Sequence, residues 1–194
     1  LVSFFGNPTV AEMASGLETN GRAAPASQSL RSISRDREIP LSHGQERMWF
    51  IDRLEPGNSL YNRPAFIRLK GELKTAVLER CLNEIIRRHE ILRTTFPDVN
   101  GQPLQVILPF QPLALAVRDI SGLPEAEREA AARRQATDEA ALAFDLRRGP
   151  PIRAGLLRLG AQEHILLLTM HHIVFDGWSE GVLFQELAVL YESF

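Results

Sequence analysis

Apolar residues recur along the chain with spacings that distinguish helices from strands. The clearest helical period, close to 3.6 residues, runs from 74 to 88. It predicts a helix whose buried face holds Leu78, Cys81, Leu82, Ile85 and Ile86. Apolar spacing and end signals predict further helices at 8–16, from Ser42 to Leu54 with Met48, Trp49, Ile51 and Leu54 facing inward, at 124–142 and at 180–191.

Other apolar segments have the length and alternation of strands. They lie at 62–71, at 91–109 on both sides of Asn100-Gly101, at 113–118, at 151–160 and at 163–172. Asn-Gly is a strong hairpin signal, and the last two segments meet in a turn at 160–162. Residues 165–170 are continuously apolar, which is typical of a central strand covered on both faces. The mixed order predicts an α+β (mixed α/β) fold, with helices packed on a central mixed sheet.

Composition and charge indicate which kinds of partner the chain is expected to bind and in which cellular compartment it is expected to lie. The 194 residues are 44% hydrophobic and 24% charged, as in globular domains, and the net charge of -2 provides no positive field for nucleic acid. Cys81 is the one cysteine, so an internal disulfide is excluded and a reducing compartment fits. No apolar run approaches the roughly 20 residues of a membrane span. We expect a cytoplasmic protein that contacts neither nucleic acid nor membrane.

The first 38 residues differ from the rest of the chain. Residues 18–38 are rich in Ser, Ala, Gly and Arg without an apolar period, which predicts a linker, and the larger unit is expected to begin at Ile39. The sequence begins with Leu1 and not with Met. We therefore expect the chain to be a segment of a longer protein.

Titratable residues cluster in "TMHHIVFDGWS" at 169–179, between a predicted strand and the last helix. His171 and His172 should point to opposite faces while the strand continues, and Asp176 is placed to cap the helix. The two could be packed imidazoles, or a neutral imidazole at the strand end could be a general base, because an imidazole titrates near neutral pH. A metal site would need a third ligand from a distant, unspaced residue, which makes it the weakest of the three. The eleven residues alone leave the first two interpretations open.

Three segments, taken in order, resemble the first signature motifs of condensation domains of non-ribosomal peptide synthetases. They are "LSHGQERMWFIDRLEPGNSLYN" at 41–62, "RRHEILRTTF" at 87–96 and "MHHIVFDGWS" at 170–179. The stretch "FDLRRGPPIRAGLLRLG" at 144–160 is similar to the same family. The resemblance covers 39–194 and implies the N-terminal lobe of a fold like that of chloramphenicol acetyltransferase, in which two lobes enclose a tunnel.

The first segment, "LVSFFGNPTVAEMA" at 1–14, is similar to the last helix of a peptidyl carrier protein. The resemblance implies three parts: a carrier-protein helix at 1–17, an interdomain linker at 18–38 and the condensation lobe at 39–194. It also implies partners, namely upstream and downstream peptidyl carrier proteins, the C-terminal lobe and an adjacent adenylation domain. No cofactor or metal is expected on the chain itself, because the carriers deliver substrates on 4'-phosphopantetheine arms.

The resemblance assigns His172 as the catalytic residue for attack of an aminoacyl amine on an upstream peptidyl thioester. His171 would support the loop, Gly177 would let the backbone approach the tunnel, and Asp176 would pair with Arg93 or Arg88. Gln45, Arg47 and Trp49 of the first motif are assigned to structure, because a Met-Trp stripe at helical spacing usually lies in the core, and Trp178 is expected to pack. Within the family, the motif sequence at 171–179 is most similar to that of the subtype that joins an L-configured donor to an L-configured acceptor. The alternative is an isolated lobe that docks carrier proteins and catalyses nothing by itself.

Overall fold

The structure is a computed structural model that describes residues 9, 11, 34, 35 and 37–194. Contacts divide the chain into Leu1–Arg37 and Glu38–Phe194. The predicted helix at 8–16 and the predicted linker at 18–38 lie almost wholly outside the described residues. The fold described below is that of the second unit.

This unit contains both helices and strands, with hairpin-connected strands between the helices. Its helices are α1 (His43–Leu54), α2 (Thr75–Arg88), α3 (Glu125–Ala141) and α4 (Gly177–Ser193), with a 3₁₀ turn at Glu90–Arg93. Its strands are β1 (Ile39–Pro40), β2 (Asn62–Lys70), β3 (Thr94–Thr95), β4 (Asp98–Val99), β5 (Gln102–Ile107), β6 (Ala116–Asp119), β7 (Ile152–Gly160) and β8 (Glu163–His171).

The larger sheet has the order β2-β8-β7-β6. Strand β8 pairs antiparallel with both β2 and β7, and β6 pairs parallel with β7, so the sheet is mixed as predicted. The continuously apolar run in β8 therefore lies in the interior of the sheet, flanked by two strands. A smaller sheet joins β1, β3 and β4 to β5.

Helices cover both faces of the larger sheet, which explains why β8 is apolar on both sides. On one face α2 and α4 pack against alternate residues of β8, including Leu166, Leu168 and Met170. On the other face α3 contributes Ala131 and Ala132, which pack against Leu167 and its neighbours. The mixed α/β architecture with helices on a central sheet is thus confirmed.

The local predictions are confirmed where a residue's own conformational preference decides the structure. Asn100 and Gly101 have positive φ values of 55° and 83° and connect β4 to β5. All five apolar residues predicted for the face of α2 are buried. Ser42 caps α1 as expected, and its hydroxyl accepts a hydrogen bond from the backbone of Gln45.

Three local predictions need correction. Leu54 is predicted to face inward, but its side chain is 64% exposed because it ends α1 beyond the contact with the core. Residues 91–93, predicted as the start of a strand, belong to the 3₁₀ turn Glu90–Arg93, and the strand expected at 113–118 forms at Ala116–Asp119. In both cases neighbouring elements, and not local propensity, determine the boundary.

Candidate active site

The histidine pair lies where β8 ends and a short turn leads into α4. Hydrogen bonds to both neighbouring strand regions hold this turn. The backbone N–H of His171 donates to the Pro151 carbonyl at 3.0 Å, and that of His172 donates to the Tyr61 carbonyl at 2.8 Å. Val174 N–H then donates to the His171 carbonyl at 3.0 Å and closes the turn.

The ring of His172 is oriented by its own turn. Its Nδ1 lies 2.6 Å from the Phe175 carbonyl oxygen. A carbonyl can only accept a hydrogen bond, so Nδ1 carries the proton and, in the neutral ring, Nε2 keeps a lone pair. Within the described part of the chain no hydrogen bond occupies Nε2, and the residue is half-buried. This geometry suits a proton acceptor.

The ring of His171 takes the opposite tautomer. Its Nδ1 accepts a hydrogen bond from the Ile173 N–H at 3.1 Å, so the neutral ring carries its proton on Nε2. Only 4% of the residue is exposed, and the Phe144 ring packs edge-on against it at 6.1 Å between centroids. Burial, and secondarily the neighbouring His172, lower the pKa of His171 to about 4. His171 is therefore a neutral, packed side chain at neutral pH.

Asp176 is the N-cap of α4. Its Oδ1 accepts hydrogen bonds from the Ser179 hydroxyl at 2.7 Å and from the Ser179 backbone N–H at 2.9 Å. These two donors, the hydroxyl first, hold the pKa of the Asp176 carboxyl below its ordinary value. The predicted capping position is confirmed.

Replacing Asp176 with alanine is expected to lower the melting temperature of the chain by a few degrees, because α4 loses a cap that satisfies a free N–H. The matched control is Asp176→Asn, which keeps the accepting oxygen and should melt close to the parent. Thermal unfolding followed by circular dichroism measures both. Equal losses for the two variants would mean that the charge, and not the cap, matters.

The predicted pairing of Asp176 with Arg93 or Arg88 is wrong for this structure. Arg88 lies one helical turn from Glu84 and binds it at 2.6 Å. Arg93 donates from Nη1 to the Leu108 carbonyl at 2.5 Å. Neither arginine forms an ion pair with Asp176 in the described residues; their acceptors are the Leu108 carbonyl and the Glu84 carboxylate.

The two residues after Asp176 are both exposed. A Cβ placed on Gly177 would meet no atom of the described residues within 4 Å, so the close approach expected of this glycine stays a prediction. Trp178 is predicted to pack, but 85% of it is exposed. It borders an apolar pocket of about 150 Å³ between α2 and α4, together with Phe175 and Leu92. The packing interpretation of Trp178 is therefore wrong.

Three contacts that hold the turn are not predicted from the sequence: two backbone carbonyls and one side chain. The carbonyls of Tyr61 and Pro151 act through the backbone, which leaves no signal in side-chain identity. Gln45 donates from Nε2 to the Ile173 carbonyl at 3.4 Å, across 128 residues of chain. Gln45 lies in the first signature motif, but the motif predicts only a general structural role for it and not this contact.

Neither a cluster of metal ligands nor a membrane-spanning helix is found in the described residues. Across residues 9, 11, 34, 35 and 37–194, no three His, Cys, Asp or Glu side chains converge as metal ligands would. None of the helices described is long and apolar enough to cross a membrane.

A family model described as Condensation domain matches residues 35–194, which is most of the chain. The chain belongs to the condensation domain family. This confirms the resemblance to condensation domains of non-ribosomal peptide synthetases, which rested on the three ordered motifs.

Two relatives of this condensation-domain chain are large synthetases. One subunit of the linear gramicidin synthase of Brevibacillus parabrevis is 47% identical over 99% of the chain, which covers 4% of that protein. Phosphinothricin tripeptide synthetase PhsB of Streptomyces viridochromogenes is 39% identical over 97% of the chain, which covers 16% of it. The chain thus spans a small fraction of the length of these relatives.

Solved condensation domains share the fold. The starter condensation domain of rhizomide synthetase matches 81% of the chain with a TM-score of 0.74 and 25% identity, and the chain covers 38% of it. The first condensation domain of the CDA synthetase matches 81% with a TM-score of 0.73 and 26% identity, with 40% covered. The expected fold like that of chloramphenicol acetyltransferase is thereby confirmed.

Proposed function

We propose that this chain is part of a peptide-bond-forming acyl transferase of a non-ribosomal peptide synthetase. It would join an upstream peptidyl or aminoacyl thioester to the amine of a downstream aminoacyl thioester. Membership of the condensation domain family supports the reaction class. The motif sequence "HHIVFDGWS" at 171–179 supports the subtype that joins an L-configured donor to an L-configured acceptor.

The observation that supports this proposal most directly is the lone pair on Nε2 of His172. Because the Phe175 carbonyl holds the proton of the neutral ring on Nδ1, Nε2 is the nitrogen that can accept a proton from an attacking amine. The amine nitrogen forms a bond to the donor carbonyl carbon, and its proton passes to Nε2. The carbon–sulfur bond then breaks, and the thiol leaves with a proton returned by the ring.

The same ring can also stabilise charge during this reaction. Once protonated, it presents an Nε2–H donor while Nδ1–H remains bound to the Phe175 carbonyl, so its orientation does not change. A donor fixed in advance stabilises a developing oxyanion without reorganisation. His171 would act behind it as a neutral packing residue, and Asp176 as the cap that starts α4.

The partners follow from the proposed reaction. Upstream and downstream peptidyl carrier proteins would present the thioesters on phosphopantetheine arms, and an adenylation domain would supply the acceptor. We propose residues 1–17 as the last helix of the upstream carrier protein, 18–38 as the linker and 39–194 as the N-terminal lobe. The division of contacts after Arg37 is consistent with that boundary.

The proposal is tested with the synthetase module that contains this chain. The upstream carrier is loaded with an aminoacyl group, the downstream carrier is loaded with a second one, and intact-protein mass spectrometry follows the mass on each carrier. Transfer of the donor acyl group to the downstream carrier is expected only when both are loaded. Hydrolysis of the donor without any transfer would contradict peptide-bond formation.

The chain on its own is expected to give little or no turnover. It covers 38% of the starter condensation domain of rhizomide synthetase, and the remaining lobe would form the other wall of the tunnel. The assay mixes the isolated chain with both loaded carrier proteins and measures dipeptide against a no-protein control. Condensation above that control would show that one lobe is sufficient, whereas carrier binding without product would fit the alternative of a docking lobe.

A further inference from the structure

Gln45 makes hydrogen bonds with both ends of its side-chain amide. It occupies the third position of α1, where Oε1 accepts a hydrogen bond from the Ser42 backbone N–H at 2.9 Å. In return, the Ser42 hydroxyl accepts a hydrogen bond from the Gln45 N–H at 3.3 Å, which completes a capping box. The cap fixes the direction of the amide, because only its oxygen can accept from Ser42 N–H.

The other end of this amide reaches the histidine turn. Nε2 donates to the carbonyl of Ile173, the residue after His172, at 3.4 Å in a partly buried position. A flipped amide would place oxygen against the Ile173 carbonyl and nitrogen against the Ser42 N–H. Both contacts therefore require the same orientation, and the one amide links the start of α1 to the turn.

The other hydrogen bonds that shape this turn are made by its own residues or by backbone carbonyls. Ile173 N–H binds His171, and the rings of the pair bind within the turn. In the part of the chain that the structure describes, Gln45 is the residue outside the turn whose side chain hydrogen-bonds to residues 171–175. It thus joins the first signature motif to the third.

We infer that Gln45 is a positioning residue for His172. The inference rests on the proposed function, in which Nε2 of His172 meets the reacting amine. By holding the Ile173 carbonyl, Gln45 fixes the backbone between His172 and the Phe175 carbonyl that orients its ring. Release of this contact shifts the imidazole relative to the bound thioesters, and a displacement of about 1 Å costs up to about 100-fold in rate.

Two matched substitutions separate this role from capping. Gln45→Glu keeps an oxygen for the Ser42 N–H, and glutamate is a standard residue at this position of a capping box, but its second oxygen faces the Ile173 carbonyl and cannot donate. Ser42→Ala removes the hydroxyl cap and leaves the contact to Ile173 in place. The first variant breaks the link, and the second breaks part of the cap.

The test measures kcat and KM for a soluble aminoacyl thioester acceptor in the full module, together with the melting temperature of the chain. Gln45→Glu is expected to lower kcat roughly 10- to 100-fold with little change in KM or melting temperature. Ser42→Ala is expected to lower the melting temperature and leave kcat close to that of the parent. A Gln45→Glu protein with parental kcat would overturn the inference.

Two further variants keep the test decisive. If Gln45→Glu does not fold, Gln45→Met is compared with Ser42→Ala, because both weaken the cap and only the former loses the link. Equal kcat values for these two would also overturn the inference. His172→Ala is run in parallel: its full activity would refute the proposed role of His172, whereas its inactivity beside an unaffected Gln45→Glu would refute the positioning role alone.

Discussion

Replacing His172 with alanine is expected to reduce dipeptide formation on the downstream carrier by about 10²–10⁴-fold, the range that general acid–base catalysis contributes. The ring is half-buried, and its Nδ1–H is fixed on the Phe175 carbonyl, so alanine removes the Nε2 lone pair that would accept the amine proton in the proposed reaction. Carrier loading does not involve this ring and should be unchanged.

The measurement is the single-turnover rate of dipeptide formation in the full module, followed by intact-protein mass spectrometry. The matched control is His43→Ala, which removes a fully exposed histidine from the first motif and should keep the parental rate. Parental dipeptide formation by His172→Ala would remove His172 from the mechanism. A comparable loss in His43→Ala would point to a general effect of losing an imidazole.

Acidification from about pH 6.5 to pH 4 is expected to destabilise the chain through His171 by roughly 3 kcal/mol. Burial lowers the pKa of His171 to about 4 in the folded state, from the ordinary value of 6.5. The unfolded chain therefore binds a proton that the folded chain excludes. This contribution to stability is fully present above pH 6.5 and is lost as the pH falls toward 4.

Urea unfolding of the chain at a series of pH values measures this effect, with His171→Asn as the comparison. Asparagine cannot titrate, and its oxygen can replace Nδ1 as the acceptor for the Ile173 N–H. The parent should lose more stability than the variant over this pH range, by roughly 3 kcal/mol. Parallel pH profiles for the two proteins would mean that His171 binds its proton equally well in the folded and the unfolded chain, which would contradict the prediction.

The elements that the sequence predicts well have patterns that only one structure satisfies. The buried face of α2 follows a single helical period, and the apolar run of β8 requires cover on both faces. Asn100-Gly101 accepts the positive φ values that a tight hairpin needs. Leu54 differs because an apolar residue at a helix end faces the core only if a neighbour reaches that far, and none does within the described residues.

In the candidate site, too, some features can be predicted from the sequence and others cannot. The alternation of a strand predicts that His171 and His172 diverge, and Asp176 has the residue type and position of a cap. The partners of Arg88 and Arg93 are not predictable in the same way, because a long flexible side chain reaches many acceptors. The tautomers depend on the Phe175 carbonyl and the Ile173 N–H, whose directions are set by the turn.

The interior position of β8 limits how the start of the histidine turn can move. The turn after β8 is attached through the Tyr61 and Pro151 carbonyls to the segments that precede both flanking elements, β2 and β7. Displacing the backbone at the start of this turn would require three adjacent segments to slide together, whereas the later residues of the turn, including Ile173, are held by the Gln45 side chain. Exchanges in the surrounding surface can consequently change what the turn meets while the strand end that carries the histidine pair keeps its place.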